Sequence, residues 1–206
     1  MFQIRIHGRG GQGVVTAAEM LAQAAFYEDK FAQAFPSFGS ERMGAPVVAF
    51  CRIDDKEIRL REPISEPDAL LIQDPTLLHQ LDIFSGISPA CYVLINTTRE
   101  IDDLAIDAVV TQLHPGRLFT LPATDLALKY VGRAVPNAAL LGGFAAMSAM
   151  VSIESVERAI GSKFSGAVAK GNVMAARESY HHIQAEMGST ALGAVTSVAN
   201  QGDTHA

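Results

Sequence analysis

The sequence predicts an α/β fold in which a mainly parallel sheet is covered by helices. Three observations lead to this prediction. The chain opens with a strand, a glycine cluster and a helix; short apolar segments then alternate with helical ones; and the last third is helical throughout. A length of 206 residues suits one such domain.

The opening segment sets the architecture. Residues 2–7 alternate apolar and polar side chains, which is typical of a strand, and residues 14–26 carry apolar side chains at helical spacing. Between them lies the glycine-rich segment 8–13. A strand, a tight glycine turn and a helix in this order indicate a Rossmann-like fold.

The middle of the chain predicts an inserted β-hairpin. A short second strand at 31–35 ends at Pro36, and residues 36–46 form a long loop rich in glycine and proline. Residues 46–53 are strand-like, 54–56 form a turn, and 57–61 return as a second strand. Further strands are predicted at 69–73, 92–96 and 117–121, with helices at 76–81 and 103–113.

A helical C-terminal part follows. Helices are predicted at 123–131, 137–151 and 170–187, with a short helix capped by Ser152, or less well by Ser155, between the last two. Residues 188–206 are small, polar and aperiodic, so they predict a disordered tail after a domain of residues 1–187.

Composition excludes several classes of protein. A net charge of −6 argues against a nucleic-acid-binding protein, which would carry a basic stripe. Cys51 and Cys91 stand alone without metal-ligand spacing, which argues against a metal or iron–sulfur site. The start of the chain lacks the pattern of a signal peptide, and residues 138–151 are too few to span a bilayer. We therefore expect a cytoplasmic protein without a membrane partner.

The glycine cluster is the first candidate site. Gly8, Gly10 and Gly13 match the dinucleotide-binding spacing, in which glycines let the backbone approach a phosphate at a helix N-terminus. A nicotinamide site also needs an acidic residue about 20 positions further on. Residues 31–35 contain none. An alternative is that the glycines only allow tight strand–helix packing.

The loop residues Ser40, Glu41 and Arg42 are the second candidate. A hydroxyl, an acid and a permanent cation flanked by glycines suit a phosphate or a partner's carboxylate. An ordinary solvated loop is the alternative. Phe38 and Met43 argue for cover by a ligand or another subunit, because such side chains avoid water.

Asn137 is the third candidate, since it precedes an apolar helix. It is either a structural N-cap or a group that faces a ligand near the glycine loop. The adjacent His181 and His182 lack neighbours for a catalytic triad or a metal site and are interpreted as solvated.

Three segments together resemble a known family. Residues 8–19 (GRGGQGVVTAAE), 34–47 (AFPSFGSERMGAPV) and 136–144 (PNAALLGGF), followed by the segment KGNV at 170–173, are similar to the gamma subunit of pyruvate:ferredoxin oxidoreductase. The resemblance runs from residue 1 to about residue 187. Met43 stands where members of this family often have a second arginine, and residues after 187 have no counterpart.

The resemblance implies a subunit that is inactive alone. The family catalyses CoA-dependent oxidative decarboxylation of a 2-oxoacid to acyl-CoA, CO2 and reduced ferredoxin. Residues 35–42 resemble the pyruvate enzymes more than their 2-oxoglutarate or branched-chain relatives, which favours pyruvate but leaves the 2-oxoacid open. Thiamine diphosphate is held by alpha- and beta-type subunits, iron–sulfur clusters lie on partners that include a delta-type subunit, and the gamma subunit helps form the CoA region. No catalytic residue or metal ligand is expected on this chain. The expected binding residues are Gly8, Arg9, Gly10, Gly11, Gln12, Gly13, Ser40, Glu41, Arg42 and Asn137.

Two other functions stay open at this point. One is a structural assembly subunit whose glycine loop binds no ligand. The other is an independent NAD(P)-binding protein.

Overall fold

A six-stranded sheet forms the centre of the molecule in the computed structural model, which describes residues 1–37 and 43–199, the last ten of these as backbone only. The strands are β1 (Phe2–Arg9), β2 (Phe31–Pro36), β3 (Pro46–Asp54), β4 (Ala69–Ile72), β5 (Tyr92–Asn96) and β6 (Leu118–Leu121). Their order is β2-β3-β1-β4-β5-β6. β3 runs antiparallel to both neighbours, and β1, β4, β5 and β6 pair in parallel. The predicted α/β class with a mainly parallel sheet is confirmed.

The predicted return strand of the hairpin is wrong. Residues 57–61 form no strand, because β1 and β2 already occupy both edges of β3 and leave no partner for a further strand. The residues that follow this segment accept hydrogen bonds from buried arginines of the sheet. Arg52 donates to Glu62 O at 2.8 Å, and Arg5 donates to Ile64 O at 3.4 Å.

Helices cover the sheet. They are α1 (Val14–Phe26), α2 (Asp107–Gln112), α3 (Ala123–Val131), α4 (Asn137–Ser148), α5 (Ile153–Lys163) and α6 (Gly166–Ala199). A short 3₁₀ segment at Pro75–His79 stands where a helix was predicted at 76–81. The helix predicted at 103–113 corresponds to α2, preceded by a 3₁₀ segment at Ile101–Leu104. α4 ends before the predicted residue 151, because Ala149 adopts a left-handed conformation (φ 52°).

The C-terminal helix differs from the predicted tail. α6 continues to Ala199, so residues 188–199 are helical where a disordered tail was expected. Extending a helix that is already nucleated adds one hydrogen bond for each residue fixed, which avoids the cost of a new nucleus. Residues 200–206 lie outside the described part of the chain.

The main core lies between the sheet and the face formed by α1, α4, α5 and α6. α4 is buried along nearly its whole length. It approaches α6 so closely that a Cβ on Gly142 would lie 1.9 Å from Ala176 O. A second, smaller core joins β4 and β5 to the 3₁₀ segments and α2 on the opposite face.

Candidate functional site

The glycine loop lies where the chain reverses its direction across the sheet. After β1, helix α1 carries the chain to β2 on one side, whereas β4 pairs with the other side of β1. In open α/β sheets, ligands bind at the carboxyl ends of strands at such a point. The loop at residues 10–13 therefore occupies the position where this fold offers a site.

Backbone amides define the loop's surface. Gly13 (φ 73°, ψ 34°) precedes α1 without any side-chain cap, and Gly11 has φ 96°. The first-turn amides of Val14 to Thr16 cannot have helical acceptors and are suited to an anion. They border a cavity of about 290 Å³. The cavity is lined by Arg9, Gly10, Gly11, Gly13, Val14, Val15, Thr16 and Val47.

The side chain of Arg9 is held by protein groups around the loop. It donates to Thr76 Oγ1 at 2.7 Å, to Gln80 Oε1 at 2.7 Å and to Gly44 O at 3.1 Å. Its Nε lies 3.3 Å from Asp74 Oδ2. These contacts fix the orientation of the loop, so Arg9 acts on the cavity chiefly by positioning.

Gln12 and Asp74 brace the loop from inside. Gln12 Oε1 accepts from Arg9 N at 2.7 Å, and Gln12 Nε2 donates to Asp74 Oδ2 at 2.7 Å. Burial opposes ionisation of Asp74, but hydrogen bonds from Thr76 and Gln12 and the Arg9 charge outweigh it and lower the pKa of this carboxyl. Asp74 is therefore an anion that holds three parts of the site together.

Sequence reasoning missed Asp74 and Thr76. A sequence signal existed, because both follow a short apolar strand, and side chains that follow neighbouring parallel strands meet at one sheet edge.

The second predicted loop meets the first. Gly10 N donates to Ala45 O at 2.9 Å, and Gly44 N donates to Gly10 O at 3.0 Å. A Cβ on Gly11 would lie 2.6 Å from Met43 Sδ. The end of this loop thus contacts the glycine loop. Ser40, Glu41 and Arg42 themselves lie outside the described residues.

Asn137 also reaches the glycine loop. It is the first residue of α4, with Pro136 before it, so the expected N-cap position is off by one residue. The side chain is buried; its Nδ2 lies 3.4 Å from Gly13 O, and its Oδ1 accepts from Ala138 N at 2.8 Å. The structure therefore places it beneath the loop, where it supports Gly13.

The strand order disfavours the nicotinamide interpretation. In dinucleotide-binding folds, the acid that holds the ribose follows the second strand of the chain, which lies directly beside the first. Here β3 lies in that place beside β1. It is antiparallel to β1 and begins beside the glycine loop, at Pro46 and Val47. β2, the strand that follows α1, lies one place further away and contains no acid.

The two cysteines are unsuited to cluster ligation. Both are buried, and burial raises the pKa of each thiol to about 12. Cys51 lies in β3 and Cys91 immediately before β5, with β1 and β4 between these strands. Within residues 1–37 and 43–199, no group of three or more His, Cys, Asp or Glu side chains is arranged to hold a metal ion. No helix in the same ranges has the length and apolarity needed to cross a membrane.

Comparison with known proteins decides the family. The model of the pyruvate ferredoxin/flavodoxin oxidoreductase family matches residues 3–182. The chain belongs to this family. The resemblance seen in residues 8–19, 34–47 and 136–144 is thereby confirmed.

Relatives match along nearly their whole length. The chain is 46% identical to pyruvate synthase subunit PorC of Methanocaldococcus jannaschii, covering 91% of this chain and 100% of that protein. It is 47% identical to the pyruvate/ketoisovalerate oxidoreductases common subunit gamma of Thermococcus litoralis, over 87% and 96% of the two chains. The crystal structure of pyruvate oxidoreductase subunit PORC from Thermotoga maritima is similar at 34% identity and a TM-score of 0.74, over 87% and 95%.

Proposed function

We propose that this chain is the gamma-type subunit of a pyruvate:ferredoxin oxidoreductase. The complex oxidatively decarboxylates the 2-oxoacid, transfers the acyl group to CoA and reduces ferredoxin. The proposal is supported by the family match over residues 3–182 and by relatives named as PorC and gamma subunits at about the same length.

The subunit's own part is to help form the CoA region. The observation that carries this proposal is the row of first-turn amides at Val14 to Thr16 beside a cavity of about 290 Å³. Such amides suit the phosphate groups of CoA. Gly8, Gly10, Gly11 and Gly13 allow the backbone to come close, and Arg42 adds a cation in the neighbouring loop. CoA supplies the thiol that accepts the acyl group.

Arg9, Gln12 and Asn137 support the region indirectly. Their side chains bond to Asp74, to the loop backbone and to the start of α4. In this proposal they hold the glycine turn in shape, and Ser40 and Glu41 are further candidate binding residues.

The electron-transfer cofactors belong to partners. Thiamine diphosphate lies on alpha- and beta-type subunits, and iron–sulfur clusters on partners that include a delta-type subunit pass electrons to ferredoxin in the cytoplasm. The raised pKa values of Cys51 and Cys91 support this division, because cluster ligation needs thiolates.

Choice of the 2-oxoacid is assigned to other subunits. The Thermococcus litoralis relative is named as common to pyruvate and ketoisovalerate oxidoreductases. A subunit that two such enzymes share does not distinguish their substrates. This supports the proposal that the present chain does not select the 2-oxoacid.

A purely structural assembly subunit is the second candidate. It is favoured by the Arg9 side chain, whose contacts with Thr76, Gln80 and Gly44 serve the protein itself. In that case the glycine loop only fixes the position of α1.

Kinetics of Arg42→Ala in the intact complex separate the two. Loss of one charge-assisted contact of about 1.5–3 kcal/mol would raise the KM for CoA about ten- to hundredfold and leave the KM for pyruvate unchanged. Arg59→Ala is the control, because Arg59 is exposed and pairs locally with Glu57. An unchanged KM for CoA in Arg42→Ala would favour the structural role.

A further inference from the structure

The outer edge of β2 presents backbone groups that pair with no strand in the described part of the chain. β2 ends the sheet, with β3 as its hydrogen-bonded neighbour. Ser37 N donates to Val48 O at 2.8 Å, and Phe35 pairs with Phe50 in register, so the odd-numbered residues bond to β3. Pairing alternates along an antiparallel strand. Ala32 and Ala34 therefore direct their N–H and C=O groups outward.

Between Phe31 and Phe35 this edge lacks the protection that edge strands usually carry. Natural proteins protect an open edge with charged side chains, proline, bulges or very short strands, and β2 has a proline only at its last position, Pro36. β2 has six residues, Phe-Ala-Gln-Ala-Phe-Pro, and none is charged. The strand at the opposite edge, β6, has only four residues. An unprotected edge of this kind is suited to pairing with a further strand.

A side-chain cavity lies beside the same edge. It measures about 340 Å³ and is open next to two exposed aromatic rings, Phe26 (68% exposed) and Phe31 (49%). Ala22 and Ala32 form its floor on the α1 side. Side chains of an added strand would alternate between the two faces of the sheet, so one of them would enter this cavity.

The charged side chains that line the cavity are one acid, Asp29, and one base, Lys30. Lys30 Nζ lies 3.3 Å from Glu28 Oε2, so the charge of Lys30 is balanced by Glu28 rather than by Asp29. Among the described residues, no ion pair involves the carboxylate of Asp29, which also lines the cavity. A basic residue beside the inserted side chain would complement it.

We infer that a partner subunit of the oxidoreductase adds an extended segment to β2. The segment carries one large apolar side chain that fills the cavity between Phe26 and Phe31, and an adjacent basic residue that faces Asp29. Its main chain bonds to Ala32 and Ala34. The inference relies on the proposed function only for the existence of the partner.

Amide hydrogen exchange at single-residue resolution tests it. We expect exchange at Ala32 and Ala34 to slow about tenfold or more in the assembled complex compared with the free chain. Gln33 and Phe35 serve as internal controls, because their amides already bond to β3 in both states. Equal exchange at Ala32 and Ala34 in both states would overturn the inference.

The other occupants give different results. A second copy of this chain would protect both alanines in the free chain and increasingly so with concentration. The chain's own C-terminal residues would protect them in the free monomer until truncation after Met187. Either result overturns the inference.

A matched pair of variants supplies an independent test. Phe26→Lys should weaken assembly about tenfold or more, because it places a charge at the cavity. Val110→Lys, at a 43% exposed position on α2, should leave assembly unchanged. Equal assembly of both variants would overturn the inference. If the assembled complex with the unmodified chain protects β2 but has no pyruvate:ferredoxin activity, that result would count against the proposed function alone.

Discussion

At the scale of single residues, His7 is a buried titratable side chain immediately before the glycine loop. Neither ring nitrogen has a hydrogen-bond partner among the described residues. Burial, followed by the nearby Arg5 charge, lowers the pKa of His7 from 6.5 to about 3. The folded chain therefore keeps this ring neutral where the unfolded chain protonates it.

Acid should destabilise the protein through His7. Because the folded pKa is the lower one, the stability present above pH 6.5 is lost as the pH falls from 6.5 towards 3. By pH 5 this loss is about 2 kcal/mol. Urea unfolding should show that the free energy of unfolding falls between pH 8 and pH 5, and that this fall is smaller by about 2 kcal/mol in His7→Met than in the unmodified protein. The same drop in both proteins would contradict this account.

Gly13 is restricted by its conformation and by Asn137. A Cβ there would lie 2.5 Å from Asn137 Nδ2 at φ 73°. Gly132 has the same φ with open space around it. We expect Gly13→Ala to lower the free energy of unfolding by about 1–2 kcal/mol more than Gly132→Ala. Equal losses in chemical denaturation would show that Asn137 adjusts freely.

At the scale of elements, the sequence predicted correctly the bounds of two helices that have a glycine at one end, and the serine that caps a third. α1 and α3 have the predicted bounds, and Ser152 caps α5 by accepting from Ser155 N at 3.2 Å. The return strand at 57–61 failed because the pairing of β3 depends on distant strands. Periodicity reports which faces are apolar, but it does not report which edge of a strand is already occupied.

Two helical glycines, one at the crossing of α4 and α6 and one on the open surface of α5, should respond to alanine with opposite changes in stability. A Cβ on Gly142 would lie 1.9 Å from Ala176 O, so Gly142→Ala should force the helices apart and lower stability by about 2 kcal/mol or more. Gly161, inside α5, has open space around it, so Gly161→Ala should raise stability by about 1 kcal/mol. Thermal unfolding of both variants checks the pair. Stabilisation in both would mean that α4 and α6 are not in close contact.

At the scale of the whole molecule, the sequence was enough to predict the family and the glycine loop, but not what surrounds the loop. Asp74 and Thr76 lie more than 60 positions from Arg9 in the chain and reach it only through the pairing of β1 with β4. The sequence likewise did not predict that β3 lies between β1 and β2. This strand occupies the place beside β1 after which a dinucleotide-binding fold carries its ribose-binding acid. Both features are long-range consequences of sheet order.

The small fraction of charged residues and the open edge of β2 predict that the chain depends on partner subunits for its solubility. Only 18% of residues are charged, and Phe26, Phe31 and Met43 are exposed. We expect low soluble yield when the chain is expressed alone and a clear increase when the proposed partner subunits are expressed with it. Equal yields of monomeric protein by size exclusion would contradict this expectation.

Reconstitution of the complex with and without this chain tests the central claim most directly. Pyruvate- and CoA-dependent reduction of ferredoxin is measured on complexes isolated by size exclusion. The account predicts that omission of the chain abolishes CoA-dependent ferredoxin reduction and that adding the purified chain restores it. A complex that lacks the chain but keeps full activity and the same KM for CoA would contradict the account.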